Sequence, residues 1–196
     1  ISSKRFHGKV LKKLNKIPII LNVVNCIKKS MYVSDIVVST SNEKSDDILV
    51  DLLKKYKVNV FRGSLNNVAL RLYNTAIKQN KNYFIRVSGD SPFLDYKILN
   101  ELVKIYKKNS KYDIITNVFP RSYPSGQSFE IIKTSIIKKN IKNMNKFEKE
   151  HVTSYFYKNS KNFLIKNLLN KNFKNNFKMS VDTKKDLNFL KKKRLI

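Results

Sequence analysis

From Pro18 to Val118, short β-branched runs alternate with amphipathic stretches of helical spacing, and this alternation constrains the fold more than any single residue does. Pro18 ahead of Ile20, Leu21, Val23, Val24 and Ile27 reads as Pro at the first position of a helix with one apolar stripe. Residues 35–40 (DIVVST) read as a buried strand, 45–57 as a helix carrying Ile48, Leu49, Leu52 and Leu53, and 58–61 as a second strand. The rhythm continues with a helix over 66–78, a strand over 83–87, a helix over 95–107 and a strand over 113–116. Strands separated by helices make βαβ units. The expected core is therefore a largely parallel sheet covered on both faces, with any nucleotide at the carboxyl ends of its strands.

After Val118 the pattern changes to a Pro/Ser/Gly loop over 120–128, a strand over 129–132, two helices, two further short strands ending at Val181, and a closing helix over 183–193. Repeats and long linkers are absent. The 196 residues are therefore expected to form one domain: 1–118 would bind a nucleotide, 119–182 would cover or complete the site, and 183–196 would close the fold.

The chain carries 41 Lys+Arg against 14 Asp+Glu, a formal net charge of +27, which invites a nucleic-acid reading. The cations are spread evenly along the sequence, however, whereas nucleic-acid binders concentrate them on one face or in one tail. With 24 Asn and only 6 Arg, the composition points to AT-rich codon usage, and nucleic acid is not the expected partner. Cys26 stands alone, so no internal disulfide forms, and His7 and His151 cannot build a zinc site. The longest apolar stretch, 17–27, is too short and too interrupted to span a bilayer, so no membrane role and a cytoplasmic location are expected.

Against this lysine-rich background the few arginines stand out as forked donors for phosphate, carboxylate or a base edge: Arg5, Arg62, Arg71, Arg86, Arg121 and Arg194. The stretches 52–89 and 151–181 contain no acid, so Asp90 and Asp182, which end them, are candidate cation ligands. Asp90 follows a strand in Arg86-Val87-Ser88-Gly89-Asp90-Ser91-Pro92, and Asp182 follows Val181. Two such carboxylates can share one Mg²⁺, which retains several of its waters; a turn-forming Asp90 and a helix-capping Asp182 are the plainer alternatives. The loop Ser2-Ser3-Lys4-Arg5-Phe6-His7-Gly8-Lys9 can offer backbone N–H groups and cations to a triphosphate, and a basic tail would look the same. Phe61-Arg62-Gly63-Ser64 with Arg71, the loop 123–130, and Glu150-His151-Val152-Thr153 complete the candidate segments.

Taken in order, these segments resemble the cytidylyltransferase family of 3-deoxy-manno-octulosonate and acylneuraminate cytidylyltransferases, most of all its spore coat polysaccharide biosynthesis protein F branch. The loop 2–11 is similar to S-S-x-R-L-P-G-K-V-L, and F-R-G-S, R-x-x-G-D-x-P, Y-P-x-G, E-H-V-T and V-D-T-x-x-D-L follow at 61–64, 86–92, 123–126, 150–153 and 181–187. The resemblance implies a Rossmann-like three-layer α/β/α nucleotide-diphosphosugar transferase fold with a mostly parallel mixed sheet. It also implies transfer of CMP from CTP to a hydroxyl of an acidic, 2-keto-3-deoxy type sugar for surface polysaccharide, with release of pyrophosphate. Arg5, Lys9 and Asp90 would be catalytic, and Asp90 with Asp182 would hold Mg²⁺. Ser3, Arg5, Gly8, Lys9, Arg62, Ser64, Arg71, Arg86 and Asp90 would surround the nucleotide, and Tyr123, Gln127, Glu130 and His151 the sugar. A homodimer is compatible with the family pattern.

The departures are specific. His7 and Phe6 replace Pro and Leu, Asn42 and Asn67 stand where Asp is common, and Ser125 and Ser128 occupy positions that are acidic in the family. Those two serines leave room for a non-catalytic or differently specific sugar-nucleotide-binding relative. Ile1 comes directly where a first strand ending in Q-A-R is expected, so that central strand is expected to be missing from these 196 residues.

Overall fold

The computed structural model describes residues 6–171 and 177–193. It begins with a hairpin of β1 (Lys13–Leu14) and β2 (Ile17–Pro18), followed by α1 (Ile19–Ile27), β3 (Val37–Ser41), α2 (Asp47–Lys55), β4 (Asn59–Gly63), α3 (Val68–Lys78), β5 (Tyr83–Val87), α4 (Tyr96–Lys108) and β6 (Ile114–Thr116). Then come β7 (Phe129–Lys133), α5 (Thr134–Asn140), α6 (Lys146–Glu150), α7 (Thr153–Lys158), β8 (Ile165–Asn167) and α8 (Lys184–Lys192). The caps explain several boundaries: the side chains of Asn67 and Asp95 accept from the backbone N–H groups of Leu70 and Lys97, and Asn145 and Glu148 form a reciprocal capping box.

Three expectations need correction. Pro18 is not the first helical residue; it ends β2 and caps α1 from outside. Three α-helices, not two, lie between β7 and β8. Among the described residues 177–181 the second short strand expected to end at Val181 does not form, and the Val181 N–H instead donates to the Asp90 carbonyl at 2.8 Å.

β3 and β4 pair in parallel, while a four-stranded sheet runs in the order β5, β7, β6, β8. Within it β7 is the one reversed strand, antiparallel to both β5 and β6, and β6 is parallel to β8. One face is covered by α1 and α4, whose Val23, Leu99, Leu102 and Val103 meet Ile115, Phe129 and Ile131. On the other face Ala69 of α3, Ile136 and Ile137 of α5, and Phe156 of α7 meet Ile114 and Ile132. The result is a three-layer α/β/α domain. Leu187 and Leu190 of α8 close on Leu14 and Ile19 beside the hairpin. Cys26 is half-buried and donates to the Leu94 carbonyl; burial pushes its thiol pKa up, so it serves packing. Among the described residues no helix is long and apolar enough to cross a membrane.

The two sheets are not hydrogen-bonded to one another. Between them lies a cavity of about 480 Å³, lined by consecutive residues Val37 to Thr40 of β3 and Tyr83 to Val87 of β5, with α1 and α3 contributing to its walls. Consecutive rather than alternate residues mean that it faces strand edges, because alternate residues belong to one face of a strand. A strand bonded to both edges would occupy this space.

Candidate active site

Asp90 lies in the turn after β5, and Asp182 lies just before α8. The backbone bond from Val181 to Asp90 stitches these distant segments together and sets their carboxylates side by side. Lys9 joins them: its Nζ is 2.5 Å from Asp90 Oδ2 and 3.0 Å from Asp182 Oδ1. The turn that delivers Lys9 requires Gly8, whose φ of 64° is in the left-handed region that side chains disfavour. Lys178 holds the other oxygen of Asp182 at 2.7 Å and reaches Asp186 at 2.8 Å. Capping of α8 falls to Thr183 and Asp186, which bond each other's backbone N–H groups, so the carboxylate of Asp182 is left to the cations.

Electrostatics follow from this chain of alternating charges. Burial alone would raise the pKa values of Asp182 and Asp186, but hydrogen bonds from Lys178, with Lys9 at Asp182 and backbone N–H groups at Asp186, pull both below the usual range, Asp186 to about 2. A carboxyl depressed in the folded state takes up protons more readily when unfolded. Its stabilisation is therefore present above the unfolded value of about 4 and is lost as pH falls towards about 2. Chemical denaturation in steps from pH 6 to pH 2 should show stability falling below about pH 4, with a smaller fall in Asp186→Asn.

The segment carrying Asp182 is also held from the loop 120–128. Gly126 has a φ of 99°, and a Cβ there would lie 2.6 Å from the Met179 carbonyl carbon and 2.7 Å from Ser180 N. Only a residue without Cβ lets the loop and this segment approach so closely. Gly126→Ala should cost about 1–3 kcal/mol in strain and push the segment away, lowering the melting temperature and weakening anion binding at the site.

Other expected site residues are placed as follows. Arg62 donates to the carbonyls of Ser41 and Glu43 and to Asp47, so three of its five donors hold the turn after β3. Exposed Ser64 accepts from Asn67 N and, through its carbonyl, from Arg71; Gly63 is needed because a Cβ would sit 2.9 Å from Arg71 Cγ. The buried Arg71 Nε has no hydrogen-bond partner among the described residues. Arg86 is ion-paired with Glu130, its neighbour across the β5 and β7 pair, and Tyr157 donates to Glu130 at 2.6 Å. Glu130 is 2% exposed and both its oxygens are engaged, so in this structure it supports Arg86. Gln127 is likewise consumed internally, accepting from Asp95 N and donating to the Phe93 carbonyl. Tyr123 is half-buried on the loop, and burial pushes its pKa up. His151 is exposed at the end of α6 with its ring against Phe147. Ser3 and Arg5 lie outside the described residues.

Among the described residues no group of three or more His, Cys, Asp or Glu side chains gathers to hold a metal. Asp90 and Asp182 nevertheless have oxygens close enough to share one ammonium. Two carboxylates, completed by waters and substrate phosphates, suit Mg²⁺. The donor set fits a nucleotide-bound cation rather than an all-protein cage.

The family model for cytidylyltransferases matches residues 1–195. The chain belongs to the cytidylyltransferase family. With it the protein joins the nucleotidyltransferases. Two curated relatives match along most of their length. An uncharacterized protein of Methanocaldococcus jannaschii is 32% identical over 94% of this chain and 75% of the relative, and the spore coat polysaccharide biosynthesis protein SpsF of Bacillus subtilis is 26% identical over 97% and 81%. A solved cytidylyltransferase from Leptospira borgpetersenii superposes with a TM-score of 0.91 at 29% identity, covering 96% of this chain and 80% of the other. A CMP:2-keto-3-deoxy-manno-octonic acid synthetase, solved with CTP, shares the fold at a TM-score of 0.73 and 12% identity, covering 97% and 93%.

Sequence reasoning missed Lys178, whose only signal is its place four residues before Asp182 and eight before Asp186 in a lysine-rich chain. It also missed Asp46, 2% exposed after β3. Burial would raise the pKa of Asp46, but hydrogen bonds, among them those from Thr40 and Ser41, hold it well below the usual range.

Proposed function

We propose that this cytidylyltransferase transfers CMP from CTP to a hydroxyl of a 2-keto-3-deoxy sugar acid, releasing pyrophosphate, in cytoplasmic synthesis of a surface polysaccharide precursor. The observation that carries this reading is Lys9 joining Asp90 and Asp182 where the turn after β5 meets the start of α8. Support also comes from the name of the Bacillus subtilis relative and from the CTP held by the synthetase that shares the fold.

In the reaction the sugar oxygen bonds to the α-phosphorus, the bond to the bridging oxygen breaks, and the hydroxyl proton leaves to solvent. Lys9, with the backbone of Gly8, would meet the triphosphate and offset charge developing on its oxygens. Asp90 and Asp182 would hold Mg²⁺, which when bound neutralises triphosphate charge and makes pyrophosphate a better leaving group. Arg86, fixed by Glu130 and Tyr157, would present its remaining donors to an anionic substrate. The charge of +27 favours acidic ligands generally.

Ser125 and Ser128 in place of acids favour a second reading, a sugar-nucleotide-binding relative without transfer. Calorimetry with CTP, UTP, ATP and GTP in Mg²⁺, followed by pyrophosphate release over a panel of 2-keto-3-deoxy sugar acids, separates the two. CTP-selective binding with turnover is expected; CTP-selective binding without turnover on any acceptor selects the second reading, and absence of CTP selectivity removes both.

A further inference from the structure

We propose that Lys9 stands in the place of the divalent cation when no nucleotide is bound, so that the cation enters only as a triphosphate draws the ammonium away. The inference rests on the reading of Asp90 and Asp182 as the cation's ligands and adds a role for Lys9 that its part in holding phosphate does not require.

The geometry is specific to Lys9. Its Nζ bonds one oxygen of each carboxylate, at 2.5 Å and 3.0 Å, and its side chain is 15% exposed beside carboxylates at 22% and 21%. An ammonium there already offsets half the charge of the pair and fills the point from which both carboxylates are reached. A cation arriving alone must displace it or bind beside a positive charge. Mg²⁺ surrenders its waters reluctantly, and from two carboxylates it gains little by doing so. A triphosphate changes both sides of the balance, because it offers the ammonium a stronger anionic partner and the cation additional oxygens. By linkage, whatever factor the nucleotide adds to cation affinity the cation adds to nucleotide affinity.

Lys178 supplies the internal control. It is also an ammonium on Asp182, at 2.7 Å, but its second partner is Asp186 rather than Asp90. If Lys9 acts only through its field, removing Lys178 should help a cation comparably; if it acts by occupying the shared position, removal of Lys9 should help far more.

The test is Mn²⁺ binding followed by electron paramagnetic resonance in the absence of nucleotide, with thermal melts to confirm that each variant is folded. Lys9→Met is expected to bind Mn²⁺ at least tenfold more tightly than the wild type, Lys178→Met less than threefold more tightly, and Lys9→Met/Asp90→Asn no better than the wild type. Equal Mn²⁺ affinity in wild type and Lys9→Met, or an equal gain in Lys178→Met, overturns the proposal. Titration of Mn²⁺ into wild type and Asp90→Asn with CTP present separates this from failure of the underlying reading. If Asp90 matters there while Lys9→Met gains nothing without CTP, only the proposal falls; if Asp90 has no effect with CTP present, the assignment of the cation ligands falls with it.

Discussion

Asp90→Asn should reduce pyrophosphate release from CTP by roughly 10²- to 10³-fold, the scale of losing one preorganised electrostatic contact to a transition state. The substitution keeps the shape of the side chain and its ability to accept one hydrogen bond, but it removes the negative charge that Lys9 meets and that the proposed divalent cation would meet. The backbone carbonyl of Asp90 still receives the Val181 N–H, so the junction with the segment before α8 should survive. The melting temperature should therefore change much less than the rate. A loss of rate matched by a large drop in melting temperature would place Asp90 among the structural turn residues. Asp182→Asn should follow the same pattern, with a larger structural component because Lys178 also loses an ionic partner.

The second large effect concerns stability. An extended segment of five or six β-branched residues fused ahead of Ile1 should raise the melting temperature by roughly 5 °C or more, while a Gly/Ser extension of equal length should not. Among the described residues the facing edges of β3 and β5 each have a strand partner on one side only, and apolar Val24, Ile20 and Val10 line the cavity between them. Each buried backbone group left without a partner costs about 1–3 kcal/mol, and a strand placed there would pair several while covering apolar surface. For a domain of this size about 1 kcal/mol corresponds to about 2–4 °C. Equal melting of the two extended chains would mean that the cavity does not accept a strand.

The parts of this fold that were legible in the sequence are those fixed by local pattern. The run Tyr83 to Val87 is a strand because it is β-branched and aromatic between polar neighbours, and the helices before Val118 carry their own stripes and caps. The pairing of Asp90 with Asp182 was legible for a different reason: each ended a long acid-free stretch, so composition marked it. What the sequence hid depends on partners distant along the chain. Nothing local says that Phe129 to Lys133 runs backwards between β5 and β6, or that the residues before Val181 bond a turn rather than a sheet. Arg62, Gln127 and Glu130 read as ligands because their chemistry suits ligands, yet Ser41, Glu43, Asp95 and Arg86 use that chemistry internally. Side-chain type reports what a group can bind, and only the fold decides who reaches it first.

The central claim is that this chain joins CMP from CTP to a sugar acid at the site built by Lys9, Asp90 and Asp182. Its most direct test is CTP labelled at the α-phosphorus, incubated with Mg²⁺ and a panel of 2-keto-3-deoxy sugar acids. Label passing into a product that also contains the sugar, with one pyrophosphate released for each transfer and with transfer lost in Asp90→Asn, is the predicted result. Label remaining in CTP across the whole panel, or transfer that persists undiminished in Asp90→Asn, would contradict it.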